Sequence, residues 1–109
     1  MVDYRESSRP AYSLDDIRAA ADQHRVRYEG HKVNSDIRNL GYTLKEVAHC
    51  ILGLQTKHFQ KSLKYENACY DVYIRDFQRG EDQPADRIYM KLRLLETGQL
   101  EIGIGSFHL

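Results

Sequence analysis

Apolar residues recur with helical spacing in the first half of the chain and with alternating spacing in the last third. In "SLDDIRAAADQHR", Ser13 is a candidate N-cap, and Asp15 and Asp16 place negative charge in the first turn, where the helix dipole favours it. An apolar face follows at helical spacing. The pattern predicts a first helix that runs to about residue 24.

The clearest helix is "TLKEVAHCILGL". Thr43 and Glu46 have the spacing of a capping box, and Gly53 is expected to end the helix. The spacing i, i+3, i+4, i+7, i+8 gives it one broad apolar stripe, formed by Leu44, Val47, Ala48, Ile51 and Leu52.

Three shorter segments carry weaker signals. "VRY" at 26–28 indicates an edge strand, and "NSDIRNLG" a short helix closed by Gly41. "TKHFQKSL" is predicted as a further helix with Phe59 and Leu63 inward. Its outer face would then carry three lysines at i, i+4 and i+7: Lys57, Lys61 and Lys64.

After residue 65 the pattern alternates and β-branched and aromatic residues become common. Strands are predicted over about 68–77, 87–96 and 100–108. The loop "QRGEDQPAD" joins the first two, and a tight turn at "ETGQ", where Gly98 can adopt positive φ, joins the last two. Helices followed by an antiparallel meander predict an α+β domain with helices on one face of the sheet.

Size and composition predict one soluble domain. The chain has 109 residues, which suits a single hydrophobic core over 12–109, and residues 1–11 are polar enough to predict a flexible leader. No apolar run approaches the roughly 20 residues that cross a bilayer, and the start lacks the apolar stretch of a secretory signal. We therefore expect a cytoplasmic protein without membrane contact.

Charge and metal-ligand spacing exclude several classes of function. The formal net charge is zero, which argues against nonspecific coating of nucleic acid and leaves only a local basic patch. Cys50 and Cys69 have no C-x-x-C spacing, and His24, His31 and His49 have no metal-ligand spacing. No metal and no cofactor are predicted.

The strand "RIYMKLRLL" separates two kinds of side chain. Alternation places Ile88 and Met90 toward the core with their apolar neighbours, and it turns a cationic face with a central tyrosine the other way. Phosphate is the natural ligand of such a face, and Tyr89 could stack on a base. The RNA-binding candidates are Lys57, Lys64, Arg87, Lys91 and Arg93.

A simpler interpretation exists for each of these features. Basic residues are common on the solvated face of an antiparallel strand, and a lone histidine such as His108 is usually incidental. Gly103 and Gly105, both within a strand, indicate close backbone approach or a bulge rather than a phosphate loop.

Metal-free RNA cleavage nevertheless fits the residue types available. RNA supplies its own nucleophile, the 2′-hydroxyl. The protein must remove that proton, neutralise charge on the phosphate and protonate the departing 5′-oxygen. Histidine, with an unperturbed pKa of about 6.5, suits proton transfer, lysine suits charge neutralisation, and tyrosine can position or donate. His108, Lys61 and Tyr89 supply these three groups.

Over roughly residues 12–108 the chain resembles the motility quorum-sensing regulator (MqsR) family of messenger-RNA-cleaving toxins, a family similar to the RelE-type ribonuclease toxins. Five short motifs carry the resemblance: "ILGL" at 51–54, "F-x-K-S" at 59–62, "DVY" at 71–73, "IYMKL" at 88–92 and "SFH" at 106–108.

The resemblance implies four catalytic positions. The family's lysine in F-x-K-S falls on Lys61, and the tyrosine of its penultimate strand falls on Tyr89. Two positions depart from the family pattern, since Tyr70 stands where the pattern has glutamine and His108 where it has lysine. We expect His108 to act as general acid or base, Lys61 to stabilise the developing negative charge, and Tyr89 and Tyr70 to position the scissile nucleotide.

Strand alternation alone conflicts with this assignment. It places His108 on the core side with Ile102 and Ile104, and it groups Tyr70 with Val72 and Ile74. Tyr89 lies opposite the core residues of its own strand. A bulge near Gly105, or a strand end that extends past the helices, is needed to bring these side chains together.

The leading hypothesis is a type II toxin that cleaves mRNA by 2′-hydroxyl attack, leaves a 2′,3′-cyclic phosphate and a 5′-hydroxyl, and inhibits translation and growth. The alternative is a catalytically weakened toxin-like domain that binds RNA or an antitoxin as a regulatory module, and a plain helix-on-sheet domain is a third. The resemblance also implies a cognate, neutralising, DNA-binding antitoxin as partner.

Overall fold

The computed structural model describes residues 4–109, in which three helices lie on one face of a six-stranded sheet. The helices are α1 (Leu14–Asp22), α2 (His31–Leu40) and α3 (Leu44–Leu52). The strands are β1 (Arg5–Ser7), β2 (Val26–Tyr28), β3 (Phe59–Lys64), β4 (Cys69–Phe77), β5 (Asp86–Glu96) and β6 (Leu100–His108). Their order is β1-β3-β4-β5-β6-β2, with only the β2–β6 pair parallel. The predicted α+β architecture is confirmed.

Local capping signals place the helix ends where the sequence predicts them. The Ser13 side chain accepts from the Asp16 amide, and Thr43 and Glu46 form both hydrogen bonds of the capping box. Gly41 ends α2 in the left-handed region at φ 76°. These caps satisfy helix-terminal amides and carbonyls that have no partner within the helix.

The prediction of a helix over "TKHFQKSL" is wrong. Residues Thr56–His58 form one turn of 3-10 helix, and β3 then pairs antiparallel with β4. Phe59 and Leu63 fit either period, but pairing with β4 satisfies the backbone along this segment and overrides the helical pattern. Lys57 lies in the 3-10 turn, and Lys61 and Lys64 lie on opposite faces of β3, so the lysine stripe does not exist.

The N-terminal segment contains a strand that the sequence did not predict. Arg5–Ser7 pairs with Ser62–Lys64 at the edge of the sheet. Residues 1–3 of the predicted leader lie outside the described residues.

The hydrophobic core lies between the helices and the sheet. On β5, Ile88, Met90 and Leu92 are fully buried toward the helices, as the alternation predicts. The side chains that alternate with these on β5 lie on the opposite face of the sheet, which we call the open face. It carries Lys61, Tyr70, Tyr89, Lys91, Arg93 and His108, as the strand register requires. No helix within residues 4–109 is long and apolar enough to cross a membrane.

Candidate active site on the open face

A bulge at Gly105 brings His108 to the open face. Lys91 pairs with Ser106 but Leu92 pairs with Ile104, so Gly105 is the extra residue of β6. Beyond the bulge the alternation is reversed, and His108 pairs with Tyr89. Their rings stack with centroids 5.1 Å apart and an interplanar angle of 22°. The bulge that the site hypothesis required is therefore present.

Gly105 and Gly103 also let bulky side chains lie against β6. A Cβ at Gly105 would lie 2.8 Å from Cε1 of Tyr70, and one at Gly103 would lie 2.6 Å from Oε1 of Glu29. Real Cβ atoms do not approach other atoms this closely, so both positions need glycine in this arrangement. The expected close approach of the backbone is confirmed.

Lys61 projects from β3 onto the open face and binds a carboxylate that the sequence did not indicate. Its Nζ lies 2.8 Å from Oε1 of Glu6 on β1. This hydrogen bond and the charge of Glu6 raise the pKa of Lys61, with smaller effects from Tyr4 and Tyr89. The side chain is therefore a persistent ammonium and a poor proton donor.

Tyr70 lies on the open face, but its hydroxyl is already engaged. It donates to Oε1 of Glu29 at 3.0 Å, and the Arg93 guanidinium lies 5.4 Å from the Tyr70 ring centroid. Burial and the bond to Glu29 raise the pKa of Tyr70 to about 12. The phenol is therefore a neutral donor fixed toward Glu29, and it suits positioning rather than proton transfer.

Glu29 joins Tyr70 to Arg93. Arg93 Nε donates to Oε1 of Glu29 at 2.8 Å, and Nη2 donates to Oε2. Burial alone would raise the pKa of Glu29, but the hydrogen bonds from Arg93 and Tyr70 outweigh it and hold this pKa below its usual range. Much of the Arg93 charge is thereby neutralised within the protein.

Of the other predicted RNA-binding residues, some lie on the open face and some do not. Lys91 is on the open face, where its Nζ lies 3.2 Å from the Tyr65 hydroxyl. Arg87 is exposed at the edge of that face, and its Nη1 lies 3.6 Å from Oδ1 of Asp76. Lys57 and Lys64 lie outside the open face, so the structure does not bring them to the other candidates.

Ser62 and Asp71 were missed as site-supporting residues. Both are fully buried, and the Ser62 hydroxyl donates to the Asp71 carboxylate. That carboxylate also accepts from the amides of Ala11 and Tyr12, at 2.9 and 3.0 Å. The motifs F-x-K-S and DVY therefore meet beside Lys61, and the alternation of the sequence carries no signal that the aspartate of DVY is buried.

A pocket of about 450 Å³ adjoins Tyr89. Its surface is mainly apolar, and the lining residues are Ile74, Ala85, Tyr89 and Leu109 together with the charged Asp86 and Arg87. An apolar surface next to an aromatic ring can accept a nucleobase. Within residues 4–109, no three His, Cys, Asp or Glu side chains are arranged to hold a metal ion.

The geometry thus combines a small α+β domain with an open sheet face that carries lysine, tyrosine and histidine. The sequence model of the family described as "Motility quorum-sensing regulator, toxin of MqsA" matches residues 9–108. The chain belongs to this MqsR toxin family, and it is the toxin component of a toxin–antitoxin system. None of the curated proteins matches the chain.

Proposed function

We propose that the protein is an endoribonuclease that cleaves mRNA without a metal ion and so inhibits translation. The observation that carries the proposal is the Gly105 bulge, because it stacks His108 on Tyr89 on the sheet face that also carries Lys61. Three residues of the types that 2′-hydroxyl attack requires share one solvent-accessible surface. Its mRNA substrate would be met in the cytoplasm.

His108 is assigned to proton transfer. Its Nδ1 lies 2.9 Å from the main-chain oxygen of Leu109. That oxygen only accepts, so the contact requires Nδ1 to carry the proton and leaves Nε2 as the acceptor of the neutral ring. Nε2 is then suited to take the 2′-hydroxyl proton as the 2′-oxygen bonds to phosphorus.

Lys61 and Tyr89 complete the reaction scheme. The Lys61 ammonium neutralises charge on the non-bridging phosphate oxygens as the bond from phosphorus to the 5′-oxygen breaks. The Tyr89 hydroxyl gives its proton to the departing 5′-oxygen and regains one from water as the His108 imidazolium releases its own. The Tyr89 ring can hold a base over the neighbouring pocket. The products are a 2′,3′-cyclic phosphate and a 5′-hydroxyl. Tyr70 positions the nucleotide through its ring.

A second candidate function is a catalytically weakened domain that binds RNA or antitoxin. One observation favours it: Lys61, the cation that the reaction needs, already forms an ion pair with Glu6. The departures from the family pattern at Tyr70 and His108 point the same way.

Cleavage of a defined mRNA separates the two functions. We expect the wild type to cut with and without chelator. His108→Ala should lower the rate by about 10²–10⁴-fold and Lys61→Ala by about 10²–10³-fold, with Tyr89→Phe also slower. Leu44→Ala, an exposed site on α3, is the control. Unchanged cleavage in all three variants would refute the catalytic assignment, and no cleavage by folded wild type would favour the binding module.

The family description gives the chain an antitoxin partner, MqsA. We propose that this chain is neutralised by a cognate, DNA-binding antitoxin. Recovery of growth on co-expression of the adjacent gene would test this.

A further inference from the structure

A second aromatic group lies on the open face and has no part in the proposed reaction. Tyr65 follows β3, in a turn closed by its amide and the Ala68 carbonyl at 2.8 Å. Its ring centroid lies 5.7 Å from that of Tyr4 and 6.2 Å from that of Tyr70. The turn thus places the Tyr65 ring over the open face of the sheet.

The register of the sheet separates this group from Tyr89. Tyr89 lies in one row across the strands with Ile74 and His108. Lys61 and Lys91 lie in the next row, and Tyr70 lies in the row beyond that. Residues two apart on a strand are separated by about 7 Å. The lysine row therefore runs between two aromatic positions.

Lys91 lies in the lysine row beside Tyr65. It forms no ion pair within the described part of the chain, residues 4–109. Its Nζ lies 3.2 Å from the Tyr65 hydroxyl and 5.7 Å from the Tyr65 ring centroid. Tyr4, beside Tyr65, is 47% exposed. A cation free to meet phosphate thus adjoins exposed aromatic surface.

We propose that Tyr65 and Tyr4 form a second base-stacking position for single-stranded RNA. A strand would cross the open face with one base on Tyr89, its phosphates over Lys61 and Lys91, and a further base on the Tyr65–Tyr4 pair. Alternating aromatic rings and cations is the arrangement that binds single strands without reading their sequence. The proposal rests on the proposed ribonuclease function and extends its substrate contact beyond the scissile nucleotide.

Binding of a 2′-O-methyl RNA decamer tests this position without cleavage, because methylation removes the nucleophile. Fluorescence anisotropy would compare the wild type with Tyr65→Leu, which keeps apolar bulk but removes the ring, and with Tyr4→Ala. Base stacking contributes about 1–3 kcal/mol, so Tyr65→Leu should weaken binding by about 5- to 150-fold. Tyr65→Phe should bind nearly as well as wild type, and so should Leu44→Ala.

Unchanged RNA affinity in Tyr65→Leu and Tyr4→Ala would overturn the proposal and leave the aromatic pair to a protein partner such as the antitoxin. Equal weakening in Tyr65→Phe would also overturn it, because the ring would then not be the contact. Cleavage kinetics separate this proposal from the proposed function. Tyr65→Leu should raise KM with little change in kcat, whereas His108→Ala should lower kcat. RNA cutting that depends on His108 but not on Tyr65 refutes only the second stacking position.

Discussion

Replacement of Asp71 by alanine should strongly destabilise the fold, because three donors would lose their acceptor together. The donors are the amides of Ala11 and Tyr12 and the buried hydroxyl of Ser62. Each buried donor left without a partner costs about 1–3 kcal/mol. The two amides are only partly buried and can recruit water, so the lower end applies to them, and the sum is about 3–4 kcal/mol. This is a large part of a typical domain stability of about 5–15 kcal/mol.

Asp71→Asn separates hydrogen bonding from charge. The asparagine oxygen can still accept from Ala11 and Tyr12, and its amide can donate to the Ser62 oxygen, so the expected loss is only about 1 kcal/mol. Asp76→Ala, an exposed site on the same strand, should change stability by about 0.5 kcal/mol or less.

Urea denaturation followed by far-UV circular dichroism measures these differences, since the chain has no tryptophan to report unfolding. With a slope of about 1–2 kcal/mol per molar, Asp71→Ala should lower the urea midpoint by roughly 1.5–4 M. An equal loss in Asp71→Asn would show that charge, and not the set of accepted hydrogen bonds, is what matters. A loss below about 1 kcal/mol in Asp71→Ala would refute the reasoning altogether.

Three further predictions follow from the open face. The lowered pKa of Glu29 stabilises the fold above its unfolded-state pKa of about 4.3, and this stability disappears as the pH falls through the lower folded-state pKa. The difference in thermal midpoint between the wild type and Glu29→Gln should therefore shrink from pH 6 to pH 3. A difference that stays constant over this range would contradict the link between the Glu29 pKa and stability. Gly105→Ala places its Cβ against the Tyr70 ring and should cost about 1–3 kcal/mol; the cost should be smaller in a Tyr70→Ala background, as a double-mutant cycle in urea would show. Glu6→Gln frees the Lys61 ammonium and should tighten binding of uncleavable RNA about two- to five-fold at low salt; no change at low salt would argue that Glu6 does not compete with phosphate.

Local patterns in the sequence predicted the elements whose structure depends on neighbouring residues. The capping box at Thr43 and Glu46 and the alternation along β5 required no knowledge of distant contacts, and both were confirmed. The segment from Phe59 to Leu63 was assigned wrongly because its two apolar residues fit a helix as well as a strand. Pairing with β4 across the turn at 65–68 decides between the two periods, and neither period by itself reveals that pairing.

The candidate site was predictable in its residue types but not in its geometry. The alternation of β6 showed that a bulge was needed, but a single register shift could be located only in the folded sheet. Glu6 and Glu29 gave no signal, since their partners Lys61 and Arg93 are 55 and 64 positions away. The catalytic roles of Lys61 and His108 stay predictions.

The two strands at the sheet edges, β1 and β2, are three residues long, and each pairs with a strand far along the chain. The β4–β6 meander closes through local turns, so it is expected to form early, while the edge strands add late and open at low free energy. Local opening of β1 would remove Glu6 from Lys61, and β1 contributes no residue to the hydrophobic core. Exchange of the Glu6 carboxylate for an incoming phosphate would then need no global unfolding, and hydrogen exchange of the Arg5–Ser7 amides would report how often β1 opens.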